Sequence, residues 1–243
     1  MDKATLDEIR SYIKDANSIA FLGGAGVSTG SGIADFRSPQ GIYAIESKYG
    51  VPYEEMLSRS YFFAHTETFY DFYWSTMVVP AARPNKAHIA LANYQKKHRL
   101  TVITQNIDGL DIEAGTQNVL EVHGSTHRYT CLACGAKYTL NDLTPKGVPH
   151  CPRCGGLIKP DVILYEEPLD EETLTKAVLA VQRANVLIVG GTSLRVYPIA
   201  ALPSYFRMGK SVLINAEPTP MDDSFDYVIR EDIGETLEAL LKD

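Results

Sequence analysis

Four cysteines, Cys131-x2-Cys134-x16-Cys151-x2-Cys154, are the only ones in the chain, and their spacing is that of a structural zinc site. Two knuckles, CLACG and CPRCGG, each set a pair of thiolates on a tight glycine turn. Four thiolates close a tetrahedron around Zn2+ and leave no open position, so the metal is expected to serve folding rather than catalysis. A zinc ribbon that reads nucleic acid is the other common use of such a set. The few basic residues between the knuckles speak against it.

A second chemistry is suggested by SIAFLGGAGVSTGSGIADFR, Ser18 to Arg37, where an apolar run enters a glycine-rich loop. Glycines here would let a backbone approach a pyrophosphate at a helix N-terminus, where exposed N–H groups favour anions. The spacing Gly24-x-Gly26-x-x-x-Gly30 misses the G-x-G-x-x-G pattern by one residue, and a tight strand-to-helix turn would use glycines in the same way. The acidic residue that grips a ribose about 20 positions on is not clearly present, since Glu46 lies in an irregular stretch. Ser193 and Asn215 are the alternative ribose contacts. The tail GIADFR is unexplained by a plain dinucleotide-binding unit, which would continue its helix.

A third candidate is His123. It ends an apolar run and precedes a glycine, whereas His65, His88, His98, His127 and His150 fall in helical or inserted segments with no convergent polar neighbours. For those five a surface or satisfied core role is the better reading. Imidazole is the side chain best suited to proton transfer near neutral pH.

These residues need a scaffold that brings them together. Short apolar runs occur at Ile19–Leu22, Leu100–Thr104, Val119–Val122, Val186–Val189, Val212–Ile214 and Tyr227–Ile229. Runs apolar nearly throughout suit strands covered on both faces of a parallel sheet. Helical patterns lie at 2–16, 85–98, about 170–184, 198–208 and 234–242. The alternation predicts an α/β fold, a doubly wound Rossmann-like parallel sheet, with a smaller helical plus zinc-binding domain beside it. The domain assignment is 1–32, 96–123 and 161–243 for the large Rossmann-like sheet domain, 33–95 for a helical module, and 124–160 for the zinc module.

Ligands of open α/β sheets bind beyond the carboxyl ends of the strands. Those ends carry Gly23-Gly24-Ala25-Gly26, Gln105-Asn106-Ile107-Asp108, His123-Gly124, Gly190-Gly191-Thr192-Ser193 and Asn215. Their convergence on one edge carries more weight than any single member. The net charge of −7 argues against non-specific nucleic-acid binding, which rests on phosphate neutralisation. No run reaches the length of a membrane span, and the amphipathic start, with Leu6, Ile9 and Ile13 at helical spacing, is no signal peptide. Cytoplasmic residence is expected, and four cysteines in a reducing compartment favour metal over disulfides.

Together GAGVSTGSGIADFRS, TQNIDGL, EVHGS, the paired CxxC knuckles, KPDVILYEE, GGTSLRVYP and LINAE closely resemble the sirtuin family of NAD-dependent protein-lysine deacylases. The motifs span nearly the whole chain, which is similar to bacterial or archaeal members consisting of little more than the catalytic core. The resemblance implies that NAD+ and an acyl-lysine enter a cleft from opposite sides. It assigns Gly24, Ala25, Gly26 and Thr29 to the pyrophosphate and adjoining ribose, and Phe36 and Arg37 to a mobile loop over the nicotinamide end. Gln105, Asn106, Ile107 and Asp108 would form the nicotinamide pocket, with Asp108 meeting the carboxamide and Asn106 also counted as catalytic. Gly191, Thr192, Ser193 and Asn215 would hold the adenosine ribose, and Asp232 and Ile233 the adenine.

The implied reaction releases nicotinamide, and the acyl oxygen captures the ribose. His123 then acts as general base on a ribose hydroxyl, giving free lysine and O-acyl-ADP-ribose. The peptide would add as a strand between Val162–Glu166 and Leu194–Pro198, with Val162, Leu164, Tyr165 and Val196 as substrate contacts. Two departures stand out. Glu166 occupies a position where the family commonly has glycine. The Tyr-x-x-Arg pair of succinyl- and malonyl-lysine enzymes is missing from FYDFYWSTM, where Tyr70 and Tyr73 are followed three positions later by Tyr73 and Thr76. Without that arginine a deacetylase is expected, longer neutral acyl chains being a further option. Expected partners are acetyl-lysine-bearing proteins or peptides, with no specific nucleic acid and no membrane, for a monomer carrying one structural zinc. A protein ADP-ribosyltransferase and a non-catalytic NAD-sensing module are the competing classes. Intact His123, Asn106 and Asp108 count against the latter.

Overall fold

The computed structural model describes residues 1–35 and 49–242. Among them run nine strands: β1 (Ile19–Gly23), β2 (Leu100–Thr104), β3 (Val119–Glu121), β4 (Gly124–Cys131), β5 (Lys137–Thr139), β6 (Ile158–Val162), β7 (Val186–Gly190), β8 (Lys210–Ile214) and β9 (Tyr227–Ile229). Six pair in parallel in the order β3-β2-β1-β7-β8-β9, the six predicted from their apolar runs. Within that sheet the chain order is 3-2-1-4-5-6, the doubly wound arrangement with its switch point between β1 and β7. Gly23 lies level with Thr104 on one side and Gly190 on the other, so the carboxyl ends finish at one edge.

Alternating side chains of β1 explain why both sheet faces are covered. Ile19 and Phe21 face a core completed by Ile9, Ile13, Leu91, Leu237 and Leu240 from helices Lys3–Asp15, Lys86–Gln95 and Ile233–Leu241. Ala20 and Leu22 face the opposite core, with Ala177 and Val181 of helix Glu171–Arg183 and Ile199 and Leu202 of the 3-10 segment Ile199–Tyr205. Each buried Ile, Leu, Val or Phe among them contributes about 1.5–3 kcal/mol by leaving water. Helix starts are set by short acids: Asp2, Asp170 and Asp232 accept from the backbone N–H groups of Thr5, Thr173 and Glu235.

The second domain is an antiparallel sheet, β5-β4-β6, packed against short helices Tyr53–Met56, Arg59–Ala64 and Thr66–Phe72. Its core is aromatic, with Phe62, Phe69, Tyr70, Tyr73 and Tyr129 fully buried. The hydroxyl of Tyr70 bonds to the Ile158 carbonyl and Tyr73 meets Tyr129 at 3.2 Å. Tyr70 and Tyr73 are thus core residues of this domain. Two domain limits differ from expectation. Helix Lys86–Gln95, assigned with the helical module, packs its Ala87, Leu91 and Tyr94 on the large sheet. The small sheet runs on to Val162, past the limit at 160. Periodicity marks both segments as buried but cannot say against which sheet. No described helix is long and apolar enough to cross a membrane.

Candidate functional site

The loops leaving β1 and β7 meet at the switch point, and glycine makes their approach possible. A Cβ on Gly24 would stand 2.7 Å from the Gly191 carbonyl oxygen, and one on Gly26 2.8 Å from the Gly191 Cα. Gly24 N–H donates to the Gly190 carbonyl at 3.1 Å and Gly26 N–H to Gly191 at 2.8 Å. The off-register glycines therefore serve loop-on-loop packing, and these two N–H groups are already engaged. Where a helix N-terminus is expected, the described chain makes 3-10 turns at Ala25–Val27 and Thr29–Ser31, closed by Gly32 with a φ of 78°. Asn85 holds these turns, donating from Nδ2 to the Val27 carbonyl at 2.7 Å and to Ser31 Oγ at 2.9 Å.

Beyond β2 a polar chain reaches back to the same loop. Asn106 Nδ2 donates to the Gly24 carbonyl at 3.1 Å and to Ser28 Oγ at 3.0 Å, and the Ser28 hydroxyl donates to Asp108 Oδ2 at 2.6 Å. Asp108 Oδ1 accepts from Leu110 N–H at 2.9 Å, which fixes the carboxylate from its other side. Gln105 Nε2 donates to Thr192 Oγ1 at 3.0 Å, linking the β2 end to the β7 end. His123 Nδ1 lies 3.1 Å from the Gln105 carbonyl. A carbonyl only accepts, so Nδ1 carries the proton and Nε2 keeps its lone pair. Burial lowers the His123 pKa, with the Gln105 carbonyl pulling the other way, so the ring is neutral at pH 7.

A cavity of about 1260 Å3 joins these groups between the two domains. Its walls include Gly24, Ala25, Gly26, Thr29, Gln105, Asn106, Ile107, Asp108, His123, Gly191, Thr192, Ser193, Asn215, Asp232 and Ile233, together with Val162, Leu164, Tyr165 and Val196. The structure thus brings together every described residue assigned to NAD or substrate from sequence. Phe36 and Arg37 lie outside the described residues, as does Glu46. The volume exceeds the roughly 300–1,000 Å3 of an ordinary small-ligand pocket, giving room for a dinucleotide and a side chain in contact.

Three members of this neighbourhood escaped sequence reasoning. Ser28, buried, was hidden among small loop residues although it joins Asn106 to Asp108. His88 is fully buried; its Nδ1 accepts from Asn85 N–H at 3.3 Å, and its Nε2 has no hydrogen-bond partner among the described residues. Burial lowers its pKa, against the pull of Asp108. Asp111 is buried with Oδ1 unpartnered among the described residues, and its pKa rises to about 7 through desolvation and then the charge of Asp108, opposed by a hydrogen bond from Thr104. Only the fold brings these residues close.

The cysteines gather away from the cavity. Their four sulfurs lie within 4.8 Å of one another, with Cys131 to Cys154 at 3.5 Å and Cys134 to Cys151 at 3.7 Å. A tetrahedron with Zn–S bonds of about 2.3 Å has edges of roughly 3.8 Å, so the four thiolates fit one Zn2+. Gly135 and Gly155 turn the two knuckles with φ of 70° and 73°, their N–H groups donating to the Cys131 and Cys151 carbonyls.

A model of the Sir2 family matches residues 24–198. An NAD-dependent protein deacetylase of Clostridium acetobutylicum is 45% identical over 97% of this chain and 98% of its own length. One from Cutibacterium acnes is 47% identical over 97% of each. Among solved structures, a Sir2 with a deacetylated p53 peptide and 3′-O-acetyl-ADP-ribose superposes with a TM-score of 0.87 at 35% identity, covering 98% of this chain and 97% of that one. A Sir2 with p53 peptide and NAD+ gives 0.84 at 34% identity, covering 100% and 98%.

Proposed function

The chain belongs to the Sir2 family, and from that premise we propose that it is an NAD-dependent protein-lysine deacetylase. Acetyl passes from lysine to ADP-ribose, with release of nicotinamide and O-acetyl-ADP-ribose. NAD+ supplies the chemistry as co-substrate, its ribose becoming the acyl acceptor once nicotinamide departs. The observation that carries this reading is one cavity in which a neutral His123 stands among Asn106, Asp108 and the loops at the sheet's switch point.

His123 Nε2, with its lone pair free of the Gln105 contact, acts as general base on a ribose hydroxyl. Asp108, oriented by Ser28 and Leu110 N–H, receives the nicotinamide carboxamide. Asn106 is held by Gly24 and Ser28 beside the reacting region. Ala25, Gly26 and Thr29 line the pyrophosphate side, Gly191, Thr192, Ser193 and Asn215 the ribose, and Asp232 and Ile233 the adenine. Phe36 and Arg37 are proposed to cover the nicotinamide end, excluding the water that would otherwise hydrolyse NAD+. Val162, Leu164, Tyr165 and Val196 contact the acetyl-lysine peptide. The Zn2+ held by Cys131, Cys134, Cys151 and Cys154 fixes the small sheet and takes no part in the reaction.

The succinyl or malonyl preference is disfavoured because Tyr70 and Tyr73 bury their hydroxyls in the aromatic core, while the uncharged Thr76 and Met77 line the cavity. We further propose a monomer resident in the cytoplasm; the gathering of all four thiols in one metal-binding set supports the reducing compartment. Mass spectrometry of an acetyl-lysine peptide incubated with and without NAD+ tests the reading. Loss of acetyl together with O-acetyl-ADP-ribose is expected. Peptide-bound ADP-ribose would indicate a transferase, and deacetylation without NAD+ would overturn the assignment.

A further inference from the structure

Among the described residues, two that are not glycine have a positive φ: Glu166 at 73° and Leu194 at 51°. They fall on the two loops between which the peptide is proposed to lie. Left-handed backbone is unfavourable for residues bearing a Cβ and persists where the surroundings fix it. Leu194 is fixed by burial in the core beside helix Glu171–Arg183 and by its N–H donating to Thr192 Oγ1 at 3.3 Å. Glu166 is fixed differently, through its own side chain. Oε2 accepts from Ser60 N–H at 2.8 Å and Oε1 from the Ser60 hydroxyl at 2.9 Å.

The same seam is stitched through the main chain. Tyr165 N–H donates to the Leu57 carbonyl at 3.0 Å, and Arg59 N–H donates to the Tyr165 carbonyl at 2.9 Å. From the other side, Glu167 Oε2 accepts from Leu164 N–H at 2.8 Å and from Lys159 Nζ at 3.0 Å. Glycine at 166 would take this φ without strain, but would offer no carboxylate to Ser60. The glutamate accepts an unfavourable backbone conformation and gains a tie between the substrate loop and the helical segment 57–64.

Resting on the deacetylase reading, we propose that Glu166 is a positioning residue for the acyl-lysine peptide. By clamping loop 163–167 to Ser60 it holds one edge of the peptide groove in place before the peptide arrives. A pre-set edge removes an ordering cost from binding, so its effect belongs to peptide affinity rather than to the chemical step.

Steady-state kinetics with an acetyl-lysine peptide and NAD+ test this on the full chain, comparing wild type with Glu166→Gly, Glu166→Gln, Ser60→Ala and the Glu166→Gly/Ser60→Ala pair. Glu166→Gly, which removes both hydrogen bonds to Ser60 while relieving the positive φ, is expected to raise peptide KM about tenfold. The kcat and the KM for NAD+ stay unchanged. Ser60→Ala, which keeps its backbone N–H, gives a smaller rise, and Glu166→Gln restores most of the affinity. The double variant matches Glu166→Gly alone, because without the carboxylate the Ser60 hydroxyl has no part in the clamp. A peptide KM for Glu166→Gly equal to or below wild type would overturn the proposal, as would additive effects or a parallel loss of kcat and NAD+ affinity. An inactive wild type would instead refute the deacetylase reading itself.

Discussion

At the scale of single residues, the decisive quantity is the protonation state of His123. Its Nδ1 proton is held by the Gln105 carbonyl, and burial lowers its pKa, so the Nε2 lone pair of this proposed base is available at neutral pH. His123→Ala is expected to reduce kcat by on the order of 10²–10⁴, the usual contribution of a general base. NAD+ binding, followed by calorimetry, should survive; near-normal turnover would remove His123 from the mechanism. The pH dependence has a definite sign. With the folded pKa below the ordinary 6.5, kcat/KM for wild type should hold at pH 7 and fall with a midpoint below 6.5. A midpoint above 6.5 would contradict the burial argument. The same shift makes the imidazole a stability cost in acid: the unfolded chain protonates first as pH falls through 6.5. Asp111 acts oppositely, since its pKa near 7 means that the folded state resists ionising it. Between about pH 4 and 7 the unfolded chain gives up this proton first, so stability from this site falls as pH rises. Asp111→Asn should therefore gain thermal stability relative to wild type as pH is raised from 5 to 8. A constant difference in melting temperature across that range would show that Asp111 is ionised throughout.

At the scale of elements, the switch point depends on two loops packing closer than side chains allow. A Cβ on Gly26 would meet the Gly191 Cα at 2.8 Å, backbone against backbone. Gly26→Ala is expected to cost about 1–3 kcal/mol, as overpacking does, and to weaken NAD+ binding by forcing the β1 and β7 loops apart. Unfolding curves and calorimetry read the two effects, and an unchanged NAD+ affinity would show that this contact does not shape the site. The glycines were legible in sequence, but their partner was not: the pattern suggested a phosphate, while Gly191 lies 165 positions on from Gly26. The six parallel strands were legible because their runs are apolar on both faces, and the site was legible as whatever follows each run. Helix Lys86–Gln95 was visible as a helix, yet its place on the large sheet was not. Its buried face includes His88 and Tyr94, which periodicity alone assigns to no particular core. The clamp from Glu166 to Ser60 spans 106 residues and joins two exposed polar side chains, a class of contact with no periodic signature.

At the scale of the whole molecule, the cavity has walls from both domains, which gives the distant cysteines a consequence for activity. The small sheet beside the cysteine cluster ends in β6, and Val162 and Leu164 at and after that end both line the cavity and belong to the aromatic core. Trp74 ties the helical segment to the zinc module through the Gly147 carbonyl at 2.8 Å. The large sheet and its glycine loops have separate cores that include no cysteine. Removing the metal should therefore disable the peptide wall while leaving the nucleotide wall largely intact. Cys131→Ser is expected to lower bound zinc well below one ion per chain and to abolish deacetylation. NAD+ should still raise the melting temperature of the remaining cooperative transition. A ligand at 100 times its Kd stabilises the folded state by about 2.7 kcal/mol, whatever the state of a neighbouring domain that does not touch it. Metal analysis, turnover and thermal melts with and without NAD+ distinguish the outcomes. Retained turnover in zinc-free protein would show that the small sheet holds its shape without the metal. Loss of the NAD+ shift would show that the two walls fold as one unit.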